Sequence, residues 1–308
     1  MQRPLPSVPF VAGALLVAVS LAELTGVAVQ AAAGPRDEDW AAVKAHLTAS
    51  ITAADGLVVG ARWMEPLARQ HLGDGLLTRE RLGGEPGTWP SVWVVSDTAR
   101  GSFLPGYRSD IAQHFGSLVL LKARAENPFR VLARLEAKLP EASVFLETND
   151  REETCTYGTF GAQSGNLGWG PALPAERFTC NGAFLARSVV TDTEYRAHDA
   201  IYTDVPGDGR TLIVRWPRMT MGTSLRGGYG LYAEAERDGK GADVRAEWRI
   251  DGQSVASLTH RDGEGWKGFE ALVPSALQRD GILELRLQSP GGQRRLFGMS
   301  AALIEAVR

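Results

Sequence analysis

Cysteine and histidine are scarce in this chain: two of its 308 residues are cysteine and five are histidine. His46, His71, His114, His198 and His260 are all more than four residues apart, so no helical turn presents two imidazoles to a metal, and neither metal nor cofactor is expected. No Gly-x-Gly-x-x-Gly opens a helix and no loop ends in Gly-Lys-Ser/Thr, which removes the usual backbone cradles for a nucleotide phosphate. The nearest strings to a nucleophile elbow, Gly161-Ala162-Gln163-Ser164-Gly165 and Gly222-Thr223-Ser224-Leu225-Arg226, both miss the Gly-x-Ser-x-Gly pattern. With these signals missing, no catalytic residue is assigned and a non-enzyme is expected. The chain also lacks a basic run: its 33 Lys and Arg are scattered among 36 Asp and Glu, giving a net charge of −3, so no nucleic-acid partner is expected.

What is present begins with an apolar N-terminus. After Arg3, residues 8–33 carry Glu23 as their only charge and stop at Pro35-Arg36-Asp37-Glu38-Asp39. Residues 1–34 read either as a signal peptide, with Ala31 and Ala33 before a cleavage point at Gly34, or as a single membrane anchor through residues 8–33. Both place the remainder outside the cytoplasm, periplasmic or secreted. In that oxidising setting Cys155 and Cys180 are expected to form a disulfide, closing a loop of about 25 residues.

Two kinds of pattern follow. Over 35–150, Trp40, Val43 and Leu47 recur at helical spacing behind acidic Asp37-Glu38-Asp39, and Trp63 to Leu72 form a second helical stretch stopped by Gly73-Asp74-Gly75. Buried strands are expected at Leu57-Val58-Val59, Ser91 to Val95, Gly116 to Leu121 and Ala142 to Leu146, with a helix through Phe129, Leu132, Leu135 and Leu139. That alternation implies a small α/β domain. From 151 to 308 the period changes to two: Ala246, Trp248 and Ile250 alternate with Glu247, Arg249 and Asp251, and Leu283, Leu285 and Leu287 with Glu284, Arg286 and Gln288. Asp-Gly at 208, 238, 251, 262 and 280 marks hairpin turns. The expected fold is therefore α+β multidomain: an α/β layer, then an antiparallel β-sandwich of jelly-roll type.

The aromatic residues of the second half supply the candidate site. Tyr229 and Tyr232 flank Gly230-Leu231, and Trp266 follows the turn Asp262-Gly263-Glu264-Gly265. These three rings are the candidates for a ligand surface on which a sugar could stack, whereas Trp248 is expected in the core.

The order Asp39-Trp40, helix, Asp55-Gly56-Leu57-Val58-Val59, Trp63, Leu72-Gly73-Asp74 and Val92-Trp93-Val94-Val95 resembles, over about 60 residues, the soluble extracytoplasmic domain of polytopic glycosyltransferases that use lipid-linked sugars. The resemblance implies catalytic acids in loops between membrane helices; at most one such helix is expected here, so no catalytic residue carries over. From Tyr195 through Trp266-Lys267-Gly268-Phe269 the chain resembles carbohydrate-binding jelly rolls in architecture. The expected function is non-catalytic binding of a glycan or envelope protein through the sandwich. One alternative is an accessory subunit of a membrane glycosyltransferase or envelope complex; another is a polysaccharide-acting enzyme with two carboxyl groups in an interdomain cleft.

Overall fold

The computed structural model describes Ser20 and residues 34–97, 104–163, 172–291 and 295–307. The export or anchor segment expected over 1–34 lies outside the described residues apart from Ser20 and Gly34. Among the described residues no helix is long and apolar enough to cross a membrane.

The α/β layer is a four-stranded sheet in the order β1-β2-β4-β3, formed by β1 (Asp55–Val59), β2 (Ser91–Asp97), β3 (Tyr107–Phe115) and β4 (Leu118–Ala125). β1 and β2 run parallel and the other pairs antiparallel. Helices α1 (Asp37–Ser50) and α2 (Glu65–Leu72) cover one face, where Trp40, Val43 and Leu47 meet Leu57, Trp93, Val95, Leu118 and Leu120. The opposite face buries Val92, Val94, Tyr107 and Ala123 around Trp89. β2 is therefore enclosed on both sides, which is why it reads as an unbroken apolar run. The stretch before it holds the short helix α3 (Arg79–Gly83) and a 3-10 turn at Pro86–Thr88.

The sandwich stacks two sheets. One is ordered β16-β13-β18-β11-β10-β9-β8, with β5 (Phe129–Arg134) also paired to β18; the other is ordered β15-β14-β17-β12-β6-β7. In the first sheet β8 is Thr156–Thr159, β9 Glu176–Cys180, β10 Ala183–Thr191, β11 Ala197–Asp204, β13 Ser224–Leu231, β16 Lys267–Leu272 and β18 Leu296–Ala306. In the second, β6 is Ser143–Thr148, β7 Arg151–Thr154, β12 Thr211–Thr220, β14 Val244–Ile250, β15 Gln253–His260 and β17 Asp280–Gln288; helix α4 (Ala233–Asp238) follows β13. All their pairings are antiparallel. One core joins the two inner faces and contains the alternating sets Ala246, Trp248, Ile250 and Leu283, Leu285, Leu287. Trp216 and Trp248 stack at its centre with ring centroids 6.1 Å apart.

Three expectations need correction. The helix through Phe129, Leu132, Leu135 and Leu139 is strand β5, because pairing with the end of β18 overrides the 3.6-residue spacing, while Leu135 and Leu139 turn into the core beyond it. The domain boundary at 150 moves earlier, since β5 and β6 both belong to sandwich sheets. Four of the five Asp-Gly pairs are not hairpin turns: Asp208-Gly209 and Asp262-Gly263 connect strands of different sheets, Gly239 ends α4 with φ +60°, and Asp280-Gly281 sits inside β17. Asp251-Gly252 does join β14 to β15, both residues with positive φ, as does Asn149-Asp150 between β6 and β7.

The expected disulfide between Cys155 and Cys180 is present. Cys155 lies between β7 and β8, where the chain passes from one sheet of the sandwich to the other, and Cys180 ends β9. Both are buried in the common core, so the bond fixes the crossing point. Replacing both cysteines with alanine is expected to lower unfolding free energy by about 2–4 kcal/mol, read as a reduced urea midpoint, with wild type under reductant shifting in the same direction.

Candidate functional site

The α/β layer meets the sandwich along β10 and β11. Asp199, 1% exposed, receives Arg79 Nε at 2.7 Å and Arg187 Nε at 3.1 Å, and Arg187 Nη2 also reaches Glu80 Oε1 at 2.6 Å. Gly83 lies directly over the Asp199 backbone, closely enough that any side chain there would collide with it. Arg134 from β5 crosses back, with its guanidinium 3.7 Å from the Trp89 ring centroid and Nη1 donating to Thr88 Oγ1 at 2.8 Å.

These ties hold the loop 84–89 over the outer surface of β13 and β16. Gly228 faces Gly268 across the two strands, and two residues along the same face Arg226 faces Glu270. The glycine pair leaves a bare floor, and Glu85 and Trp266 occupy the space. Trp266 Nε1 donates to Glu85 Oε2 at 2.9 Å. A Cβ on Gly228 would come within 2.6 Å of Glu85 Oε2, whereas one on Gly268 would meet nothing closer than 3.8 Å. Behind Trp266 the His198 ring stacks at 3.8 Å with the planes 7° apart, and His198 Nε2 is 3.0 Å from Asp192 Oδ2.

Beside this floor a cavity of about 320 Å³ opens between layer and sandwich, lined among others by Glu85, Tyr107, Asn127, Arg226, Gly268 and Glu270. Arg226 Nε donates to Glu270 Oε1 at 2.8 Å, and its guanidinium lies 5.0 Å from the Phe129 ring centroid. The Tyr107 hydroxyl donates to Trp89 O at 2.6 Å, and burial pushes its pKa up to about 12, so it remains a donor at physiological pH. Burial raises the Glu85 carboxyl above the ordinary carboxylate range, a shift that the Trp266 hydrogen bond and the positive field of His198 and Arg196 only partly oppose. The cavity thus offers two carboxyl groups, a guanidinium and an amide above exposed peptide groups, a set that hydrogen-bonds a small polyhydroxylated or charged ligand.

The three predicted rings fall in different places. Tyr229 is 5% exposed and sits in the core against His260, Phe269 and Phe297, so it forms no ligand surface: Gly228 and Gly230 face outward and Tyr229 points inward. Tyr232 is half-buried and packs near Tyr202 and Leu296 on the outer side of the β11–β18 sheet. Trp266 alone reaches the junction, half-buried and committed to Glu85 and His198. The sequence reading missed Glu85, Asn127, Arg226 and Glu270. The signal available was Arg226-Gly227-Gly228 opposite Gly268-Phe269-Glu270, but the pairing of those strands is set by the fold. Among the described residues no cluster of three or more His, Cys, Asp or Glu could hold a metal.

No protein-family model and no curated protein matches the chain. Solved structures do align. A CBM51 module of a Clostridium perfringens GH95 protein, in complex with methyl-galactose, aligns over 38% of this chain and 80% of its own at 10% identity, TM-score 0.28. The xylan-binding module CBM15 aligns over 59% of this chain and 98% of its own at 10% identity, TM-score 0.29. The CBM51-2 and INT domains of Clostridium perfringens ZmpB, with GlcNAc, align over 63% of this chain and 45% of their own at 7% identity, TM-score 0.31. At such identities and scores neither ligand nor activity transfers, and the site stands on its own geometry.

Two outcomes follow from the junction. Gly228→Ala forces Trp266 and Glu85 off the floor and is expected to cost about 1–3 kcal/mol with a change in tryptophan emission, while Gly268→Ala leaves both unchanged. Glu136, just after β5, is buried and accepts from Ala301 N at 3.4 Å; burial raises its pKa from 4.5 to about 7. The folded state then binds more protons than the unfolded chain between those values, so stability falls as pH rises from about 4.5 to about 7, by roughly 3 kcal/mol if Glu136 acts alone. Urea midpoints across that range are expected to fall in wild type and to flatten in Glu136→Gln.

Proposed function

We propose that this is an exported, non-catalytic glycan-binding protein whose ligand occupies the cavity between the α/β layer and the sandwich. The observation that carries this reading is the open, side-chain-free position Gly268 in the cavity wall, with Glu85, Asn127, Arg226 and Glu270 around it. A sugar presents hydroxyl groups along its edge, and planar carboxylate, amide and guanidinium groups bond neighbouring hydroxyls in pairs. The disulfide supports an oxidising compartment, in line with the leader or anchor expected at the N-terminus. The resemblance of the first half to an extracytoplasmic glycosyltransferase domain supports a placement beside envelope sugar assembly, with an envelope protein as the other candidate partner.

A second reading draws on the same cavity. It holds two carboxyl groups, Glu85 and Glu270, and glycoside hydrolysis uses a pair of carboxyl groups as acid and base or nucleophile. Release of reducing ends from a polysaccharide, lost in Glu85→Gln, would establish that activity in place of simple binding.

A glycan array probed with the full chain, expressed under oxidising conditions, tests the first reading. Wild type is expected to retain a restricted set of glycans. Gly268→Val, which projects a branched side chain into the cavity from a position that accepts a Cβ, is expected to lose them with its thermal midpoint unchanged. Retention of no glycan by wild type, or undiminished retention by Gly268→Val, would refute the assignment.

A further inference from the structure

Glu85 is a half-buried residue whose carboxyl group faces a cavity without a counter-ion of its own. Oε2 receives the neutral indole N–H of Trp266, and among the described residues no hydrogen bond reaches Oε1 and no Lys, Arg or His lies within ion-pair distance. The nearest cation lining the cavity, Arg226, is already paired with Glu270 at 2.8 Å. Elsewhere in the junction acid and base are matched: Asp199 has Arg79 and Arg187, and Glu80 has Arg187. A carboxylate taken from water without a partner costs several kcal/mol, and the cost is removed either by a proton or by a cation that arrives with the ligand. Burial raises the Glu85 carboxyl above the ordinary carboxylate range, as expected of an acid without a close cation.

We propose that the cavity selects glycans bearing a free amino group, with the ammonium of an amino sugar pairing with the Glu85 carboxylate over the open position at Gly268. This inference rests on the glycan-binding reading and narrows it to a ligand class. The net charge of the lining groups is negative once Arg226 and Glu270 cancel, so uronates and other anionic sugars are repelled, and N-acetylation removes the charge that Glu85 lacks. The bare floor supplies room: Gly268 has no neighbour closer than 3.8 Å to where its Cβ would be, and the nearest side-chain atom there is Glu85 Oε1 at 4.0 Å.

The test is titration calorimetry of the full chain at near-neutral pH with a glucosamine tetramer, the N-acetylglucosamine tetramer, a galacturonate tetramer and tetralysine, alongside the neutral glycan best retained on the array. The glucosamine tetramer is expected to bind at least about tenfold more tightly than its acetylated form, with no measurable binding of galacturonate. Glu85→Gln is expected to equalise the two tetramers, with circular dichroism and a cooperative thermal transition reporting that the variant is folded; Gly268→Val is expected to lose all of them. Equal or reversed affinity for the tetramers, a preference that survives Glu85→Gln, or tetralysine binding as tightly as the amino sugar would overturn the proposal. Neutral binding with no amino preference overturns this inference and leaves the glycan reading standing; absence of any saccharide binding overturns both.

Discussion

Asp199 is the carboxylate on which the junction rests. It is buried on β11, and two guanidinium groups converge on it, Arg187 from the neighbouring strand and Arg79 from α3 in the α/β layer. Such a group is costly to bury alone and strongly destabilising to orphan, on the order of 3–5 kcal/mol when one partner is removed. Its burial therefore requires the layer to dock where Arg79 can reach. Everything downstream in position, from Gly83 against the Asp199 backbone to the loop carrying Glu85, follows from that docking.

The price of close docking is visible in the sheet beneath it. Strands favour branched and aromatic residues, and glycine weakens them through lost packing and greater unfolded-state freedom. β13 nevertheless carries Gly227, Gly228 and Gly230, and β16 carries Gly268. Gly227 lies against the Ser300 carbonyl of β18, Gly228 beneath Glu85 and Trp266, and Gly230 beneath Trp266, so three of these serve close approach within the fold. Gly268 is different, because its outward side is open. Its open side faces the cavity rather than a packed neighbour.

How much of this could be read beforehand depends on where the information resides. The sandwich was legible in Ala246-Trp248-Ile250 and Leu283-Leu285-Leu287 because each strand has one face in the core and one in water, which period two records directly. The disulfide was legible because only one pair of cysteines exists. The sequence suggests a helix at β5 because Phe129, packed with Ala302 and Ile304, and Leu132, Leu135 and Leu139, in the sandwich core, fall by coincidence at helical spacing. The site was barely legible. Glu85 sits in Gly83-Gly84-Glu85-Pro86-Gly87, where no periodicity operates, and its partners come from β13, β16 and the loop before β5, elements that only tertiary pairing brings together. Gly230, which Tyr229 and Tyr232 flank, makes room for Trp266 rather than for a ligand beside the tyrosines.

Glu85 and Glu136 show two answers to the same electrostatic problem. Both are acids pushed upward by burial, yet Glu136 turns toward the backbone N–H of Ala301 in the interior, where solvent and ligands do not reach. Its shift therefore appears only as a dependence of stability on pH. Glu85 has the same deficit at the wall of an open cavity, so its deficit can be met from outside the chain. The fold closes over Glu136, whereas Glu85 lines an open cavity and, among the described residues, its Oε1 receives no hydrogen bond.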